Sequence, residues 1–158
     1  MEYTIDCSQW SQEKFIQLFG LLQNDPNTKL VVYREENPEK ENVAMEKRVS
    51  EYLSRLGIAH HLKGYGYMKY GILNCIKYPE DMESVTKILY PKIAQRYGTT
   101  PGKVEHGIRH AIKIAWETKE SEEWKKIFGT GYMARAYKPT NSQFIATLSE
   151  FININNNI

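Results

Sequence analysis

Cysteine is nearly absent from this chain. Cys7 and Cys75 are the two in 158 residues, far apart and in unrelated contexts. A disulfide-stapled secreted scaffold is therefore excluded, and the pair reads as free intracellular thiols. No apolar run approaches the length that crosses a bilayer, so no membrane span is expected. The first residues, MEYTIDCSQW, lack a basic stretch followed by an apolar one. A secretory leader is thus not expected, and the cytoplasm is the expected location. Catalytic constellations are missing too: no Ser/His/Asp, Cys/His or paired-carboxylate set assembles, so no enzyme and no cofactor are expected. Gly64-Tyr65-Gly66 and Gly129-Thr130-Gly131 lack the strand–glycine–helix setting of a phosphate loop and read as turns. His106 and His110 have the i, i+4 spacing of zinc ligands. No third ligand is near, however, and Glu105 precedes the pair instead of following its first histidine, so no metal is expected.

The composition that remains is ordinary for a globular domain with an appendage: 41% hydrophobic and 25% charged. Charge is unevenly placed. Residues 1–44 hold 4 Lys/Arg against 8 Asp/Glu, a net −4, whereas residues 45–158 hold 17 against 11, a net +6. A basic body behind an acidic appendage favours a polyanionic partner for the body. Glu35 to Asn42, charged and proline-containing without an apolar period, reads as the linker. Before it, a weakly alternating Tyr3–Cys7, a helix over Ser11–Asn24 with Phe15, Leu18, Phe19 and Leu22 on one face, and an apolar Leu30–Tyr33 predict a small β-α-β element. That apolar face suits dimerisation or a protein partner reached through residues 1–44.

Beyond the linker the pattern is helical. Met45–Leu56 stops at Gly57, and Tyr65–Tyr78 ends at Pro79, with His60 and His61 at its approach. Glu83–Tyr97 carries Val85, Ile88, Leu89, Ile93 and Ala94 inward, with Pro91 expected to kink or divide it. Ser121–Phe128 is a short helix. A last helix capped at Thr140 or Asn141 bears Phe144, Ile145, Leu148 and Ile152. The closing polar residues, 155–158, are expected to fray. The fold class is therefore mainly α, about six helices over residues 45–154 behind the appendage 1–44.

Thr99 to Trp116, TTPGKVEHGIRHAIKIAW, carries the functional signal. At 100° per residue, Val104, Ile108, Ala111, Ile112 and Ala115 form one apolar stripe. Lys103, His106, Arg109, His110 and Lys113 gather opposite it, with Glu105 and Trp116 near the borders. Thr100 is placed to cap the helix with Pro101 at its first position. Ala94, Gly98 and Val104 have the spacing of a helix-turn-helix: a small residue at the crossing, a turn glycine and an apolar anchor. Such a unit sets its second helix in the major groove of double-stranded DNA. A solvated surface face is the bland alternative for the same pattern.

Five stretches sharpen this reading: LGIAHHLKGYGYM (56–68), VTKILYPKIAQRYGTT (85–100), VEHGIRHAIKIAW (104–116), IFG (127–129) and KPTNSQFIA (138–146). Together, over about Lys47 to Ile154, they resemble the C-terminal DNA-binding effector domain of the master sporulation response regulator family. The resemblance implies a helical domain that binds promoter DNA at a short G/C-containing box, often in tandem copies. It places DNA contacts on Gly102, Lys103, Glu105, His106, Arg109 and His110. Arg109 can fork onto guanine or phosphate, and Glu105 can accept from cytosine. Lys138, before a helix N-terminus, makes a phosphate clamp. The sequence departs from the family where Lys103 and His106 replace arginines and Gly102 replaces serine, which implies softer reading or a different box. It also departs in its first 44 residues, which lack the acidic pair and the phosphoacceptor setting of a receiver domain. A non-catalytic interaction protein that keeps the fold and binds or titrates another regulator is the second expectation.

Overall fold

The computed structural model describes residues 2–6, 10–22, 29–33, 38–118, 121–130 and 138–156. The chain forms two compact units, Met1–Val43 and Ala44–Ile158. In the first, strand β1 (Glu2–Asp6) pairs in parallel with β2 (Lys29–Tyr33), Glu2 opposite Lys29 and Asp6 opposite Tyr33. Parallel neighbours need a long crossover, and helix α1 (Gln12–Leu22) lies within it. The Ser11 hydroxyl accepts the Lys14 amide and caps that helix. Its expected apolar face is only partly covered. Leu18 is half-buried, whereas Phe19 is 54% exposed and neighbouring Ile16 62%. The side chains of Phe15 and Leu22, with Cys7, Gln23 and Asn24, lie outside the described residues.

Among the described residues of the second unit, the regular elements are all helices. Helix α2 (Pro38–Arg55) begins inside the expected linker, which corrects the reading of 35–42 as irregular. Proline suits a first helical position, and Glu39 and Glu41 complement the helix dipole there. Those first turns are polar all round, so they carry no periodicity to read. Gly57, at φ +79°, closes the end of α2 as expected. Helix α3 (Lys63–Lys77) starts two residues earlier than its pattern indicates. Gly64 and Gly66 are therefore helical and not in a turn.

The helix expected over Glu83–Tyr97 is divided next to Pro91, as that proline suggests, and its first part is wound differently from an α-helix. A 3₁₀ stretch (Pro79–Ser84) leads to a π turn (Val85–Leu89) and then helix α4 (Tyr90–Tyr97). Pro91 has no N–H to return to the preceding turn, and the wider π turn accommodates the gap, the Tyr90 amide reaching back to the Val85 carbonyl. The changed winding turns Ile88 outward, 37% exposed, contrary to its expected inward place. Val85, Leu89, Ile93 and Ala94 are buried as expected.

Asp81 anchors the 3₁₀ stretch. Its carboxylate accepts from Lys92 Nζ at 2.5 Å and from the Asn74 amide, with only 6% of its side chain exposed. The Lys92 hydrogen bond, against the opposing effect of burial and with help from Asn74, holds the Asp81 carboxyl below its usual range. Its contribution is thus complete above the ordinary aspartate pKa and is lost as pH falls through the lowered value. Asp81→Asn should cost about 1–3 kcal/mol in urea unfolding at neutral pH. It should also flatten the acid limb of the stability profile relative to the parent. Nearby Cys75 is buried, and burial pushes its thiol up to about 12, which makes it a packing residue and not a nucleophile.

Helix α5 (Pro101–Glu117) packs against α3 and α4 and is followed by α6 (Ser121–Phe128) and α7 (Asn141–Asn156). Gly129, at φ +85°, turns the chain after α6, while Gly131 lies outside the described residues. Trp124 is fully buried among Trp116, Phe128 and Phe144, and its indole N–H donates to the Leu56 carbonyl at 3.2 Å. Thr140 and Gln143 form a reciprocal capping box on α7, the Thr140 hydroxyl accepting the Gln143 amide and the Gln143 side chain accepting the Thr140 amide. Phe144, Ile145, Leu148 and Ile152 are all buried. Of the tail expected to fray, residues 155 and 156 continue α7, the Arg48 guanidinium donating to the Asn155 carbonyl, while residues 157–158 lie outside the described residues.

Candidate nucleic-acid interface

Helix α5 owes its position to the turn before it. Gly98 takes the left-handed conformation, φ 60° and ψ 42°, which glycine adopts without a Cβ penalty. Its amide bonds the Gln95 carbonyl and the Thr99 amide bonds the Ala94 carbonyl, the paired closure of a Schellman motif. The Thr100 hydroxyl then accepts the Lys103 amide at 3.4 Å and caps α5. The expected stripe of Val104, Ile108, Ala111, Ile112 and Ala115 is completely buried. Locked from behind, α5 presents Gly102, Lys103, His106, Arg109, His110 and Lys113 to solvent.

Not all of that front is alike. Arg109 is ion-paired with Glu105 one turn earlier, and Lys113 lies 3.8 Å from Glu117. Lys103, His106 and His110 have no ion pair among the described residues. Exposed i, i+4 pairs are worth about 0.3–0.5 kcal/mol. A phosphate or guanine competing for Arg109 therefore displaces little.

Two neighbours flank the front. On one side, the buried Asn141 amide at the start of α7 donates to the Glu105 carbonyl at 3.0 Å and to the Tyr90 hydroxyl at 3.1 Å. Burial pushes that phenol above its ordinary range, with the Asn141 bond opposing, so it stays neutral. Lys138, half-buried, stands two residues ahead of the Thr140 cap on this side. On the other side α3 crosses α5 at Gly64 and Gly107. A Cβ on Gly64 would lie 2.1 Å from the Gly107 carbonyl oxygen and 2.8 Å from the Ala111 Cβ, so the two backbones are in contact. Glu105 and Gly107 are about 200° apart around the helix, which puts α7 and α3 on opposite flanks.

Between α3 and α5 opens a groove of about 970 Å³. Gly102, Lys103, His106 and His110 line it from α5. Glu105, Arg109 and Lys138 are not among its lining residues. Its opposite wall, His60 to Tyr67, has no counterpart among the contact residues expected from sequence. The readable signal is the HHLK tetrapeptide at 60–63, basic and without an acid. What sequence does not supply is the crossing that brings it beside α5.

A glycine-capped tight turn joining two helices, the second buried behind and cationic in front, is the arrangement of a helix-turn-helix. Residues 49–152 match the family model described as "Sporulation initiation factor Spo0A C terminal". The chain belongs to that family, a DNA-binding, transcription-regulating domain of sporulation that is regulatory and not catalytic. Among the described residues no helix is long and apolar enough to cross a membrane, and no group of three or more His, Cys, Asp or Glu could hold a metal ion.

Proposed function

We propose that this protein is a sequence-specific transcription regulator that reads a short promoter box by inserting α5 into the major groove. Gly102, Lys103, Glu105, His106, Arg109 and His110 meet base edges and adjacent phosphates, and Lys138 clamps a phosphate beside the capped start of α7. The carrying observation is the exposed α5 front, fixed by a fully buried stripe and a first turn without an acidic residue. Such a helix N-terminus favours anions and suits the base-proximal end of a recognition helix. Lys103 offers guanine a point charge and His106 a shorter donor, so Arg109 carries the forked contact. This activity places the protein in the cytoplasm with the chromosome.

The test is fluorescence anisotropy on duplexes selected from a random library, with scrambled duplex as control. The parent should prefer the selected box. Arg109→Ala should weaken box binding by about 1–3 kcal/mol, roughly five- to 150-fold, and relax the preference. Box and scrambled duplex bound alike, or indifference to both Arg109→Ala and Lys103→Ala, would overturn the reading.

A further inference from the structure

All four histidines of the chain, His60, His61, His106 and His110, line the groove between α3 and α5. Lys63 and Lys103 join them, and no aspartate or glutamate is among the lining residues. The His60 ring is fixed from two sides, its Nε2 2.8 Å from the Ser54 hydroxyl and its face 4.2 Å from the Tyr65 ring centroid. The Tyr97 hydroxyl closes one end by donating to the Gly66 carbonyl at 2.9 Å. Burial, above all, raises the Tyr97 phenol, so it brings no negative charge. Helix α3 also starts at this wall without a side-chain cap. The groove thus sets two lysines and four histidines among tyrosines and glycines, with no carboxylate in its lining to repel an anion.

Its position selects the kind of anion. A helix seated in the major groove runs between two phosphate rails, one on each side. On one flank of α5 stands the start of α7 with Lys138. On the opposite flank stands this groove. The geometry points to the α3–α5 groove as a seat for the sugar-phosphate backbone of the second rail, with Lys63 and His61 contacting phosphates from the wall facing the recognition helix. The inference rests on the DNA-binding reading and adds to it a second strand contact, made by a segment about forty residues upstream of α5. Phosphate contacts of this kind fix register and orientation without reading sequence.

The experiment is the double variant Lys63→Gln/His61→Gln, both positions being at least partly exposed, with helicity and thermal unfolding checked against the parent. Box and scrambled duplexes should both weaken by the same factor, about three- to tenfold at moderate salt, leaving their ratio unchanged. The slope of log affinity against log salt should become shallower by about 0.9 for each phosphate that is no longer neutralised. Phosphate-ethylation interference should lose its signal on one strand beside the box in this variant, and on the opposite rail in Lys138→Gln. Parent-like affinity and salt slope in the double variant would overturn the inference while leaving box recognition standing, including the case where an acidic protein segment fills the groove. A changed box preference would overturn it too, by assigning the wall to base reading. A parent protein that binds no DNA overturns both this inference and the reading beneath it.

Discussion

Gly64→Ala should destabilise the helical unit by about 3 kcal/mol, near the upper end for overpacking a tight core. The added methyl would sit 2.1 Å from the Gly107 carbonyl oxygen, a backbone atom that cannot rotate aside. Alanine favours helix over glycine by about 1 kcal/mol, so local propensity alone predicts stabilisation. The opposite sign would isolate the helix crossing as the cause. Urea denaturation followed by circular dichroism measures it, and Gly102→Ala is the control. Gly102 lies on the exposed side of α5, where an added methyl would meet nothing within 4 Å, so that change should be neutral or slightly stabilising. A Gly64→Ala protein as stable as its parent would mean that α3 and α5 are not in backbone contact.

Trp124→Ala should cost about 3–5 kcal/mol, the range for emptying a large aromatic site. The indole is fully buried, stacks on Phe128, meets Trp116 edge-on and satisfies the Leu56 carbonyl. Removing it opens a cavity and leaves that carbonyl without its donor. Trp124→Phe should recover part of the loss, since it restores ring packing but not the hydrogen bond. Tryptophan fluorescence and chemical denaturation together separate the two contributions. Equal stability of the Ala and Phe variants would contradict a packing role.

The extent to which these features can be read from sequence differs from residue to residue. The buried stripe of α5, the Thr100 cap and the Gly98 turn are legible because each depends on neighbours within a turn or two. The same holds for Phe144 to Ile152 on α7. Pro38–Asn42 escapes such a reading because a polar helical start shows no apolar period. The π turn at Val85–Leu89 escapes it because the cost of Pro91 can be absorbed in several ways, and packing around Leu89 and Ile93 selects one. Gly64 resembles a turn residue because glycine usually marks an unusual dihedral. Here what matters is the absent side chain at a crossing with a helix forty residues away. The front of α5 is legible as a candidate interface, whereas its facing wall at His60–Lys63 needs the tertiary fold.

The Asn141 side chain ties the start of α4, the first half of α5 and the start of α7 through a single amide. Those three points form a calliper of fixed span. On the proposed DNA-binding reading, a gauge held in this way would leave part of the adjustment to the duplex. Base steps that bend or narrow cheaply would then fit better even where no side chain touches them. On that same reading, a buried asparagine behind the front of α5 would in this way help set which sequences are preferred.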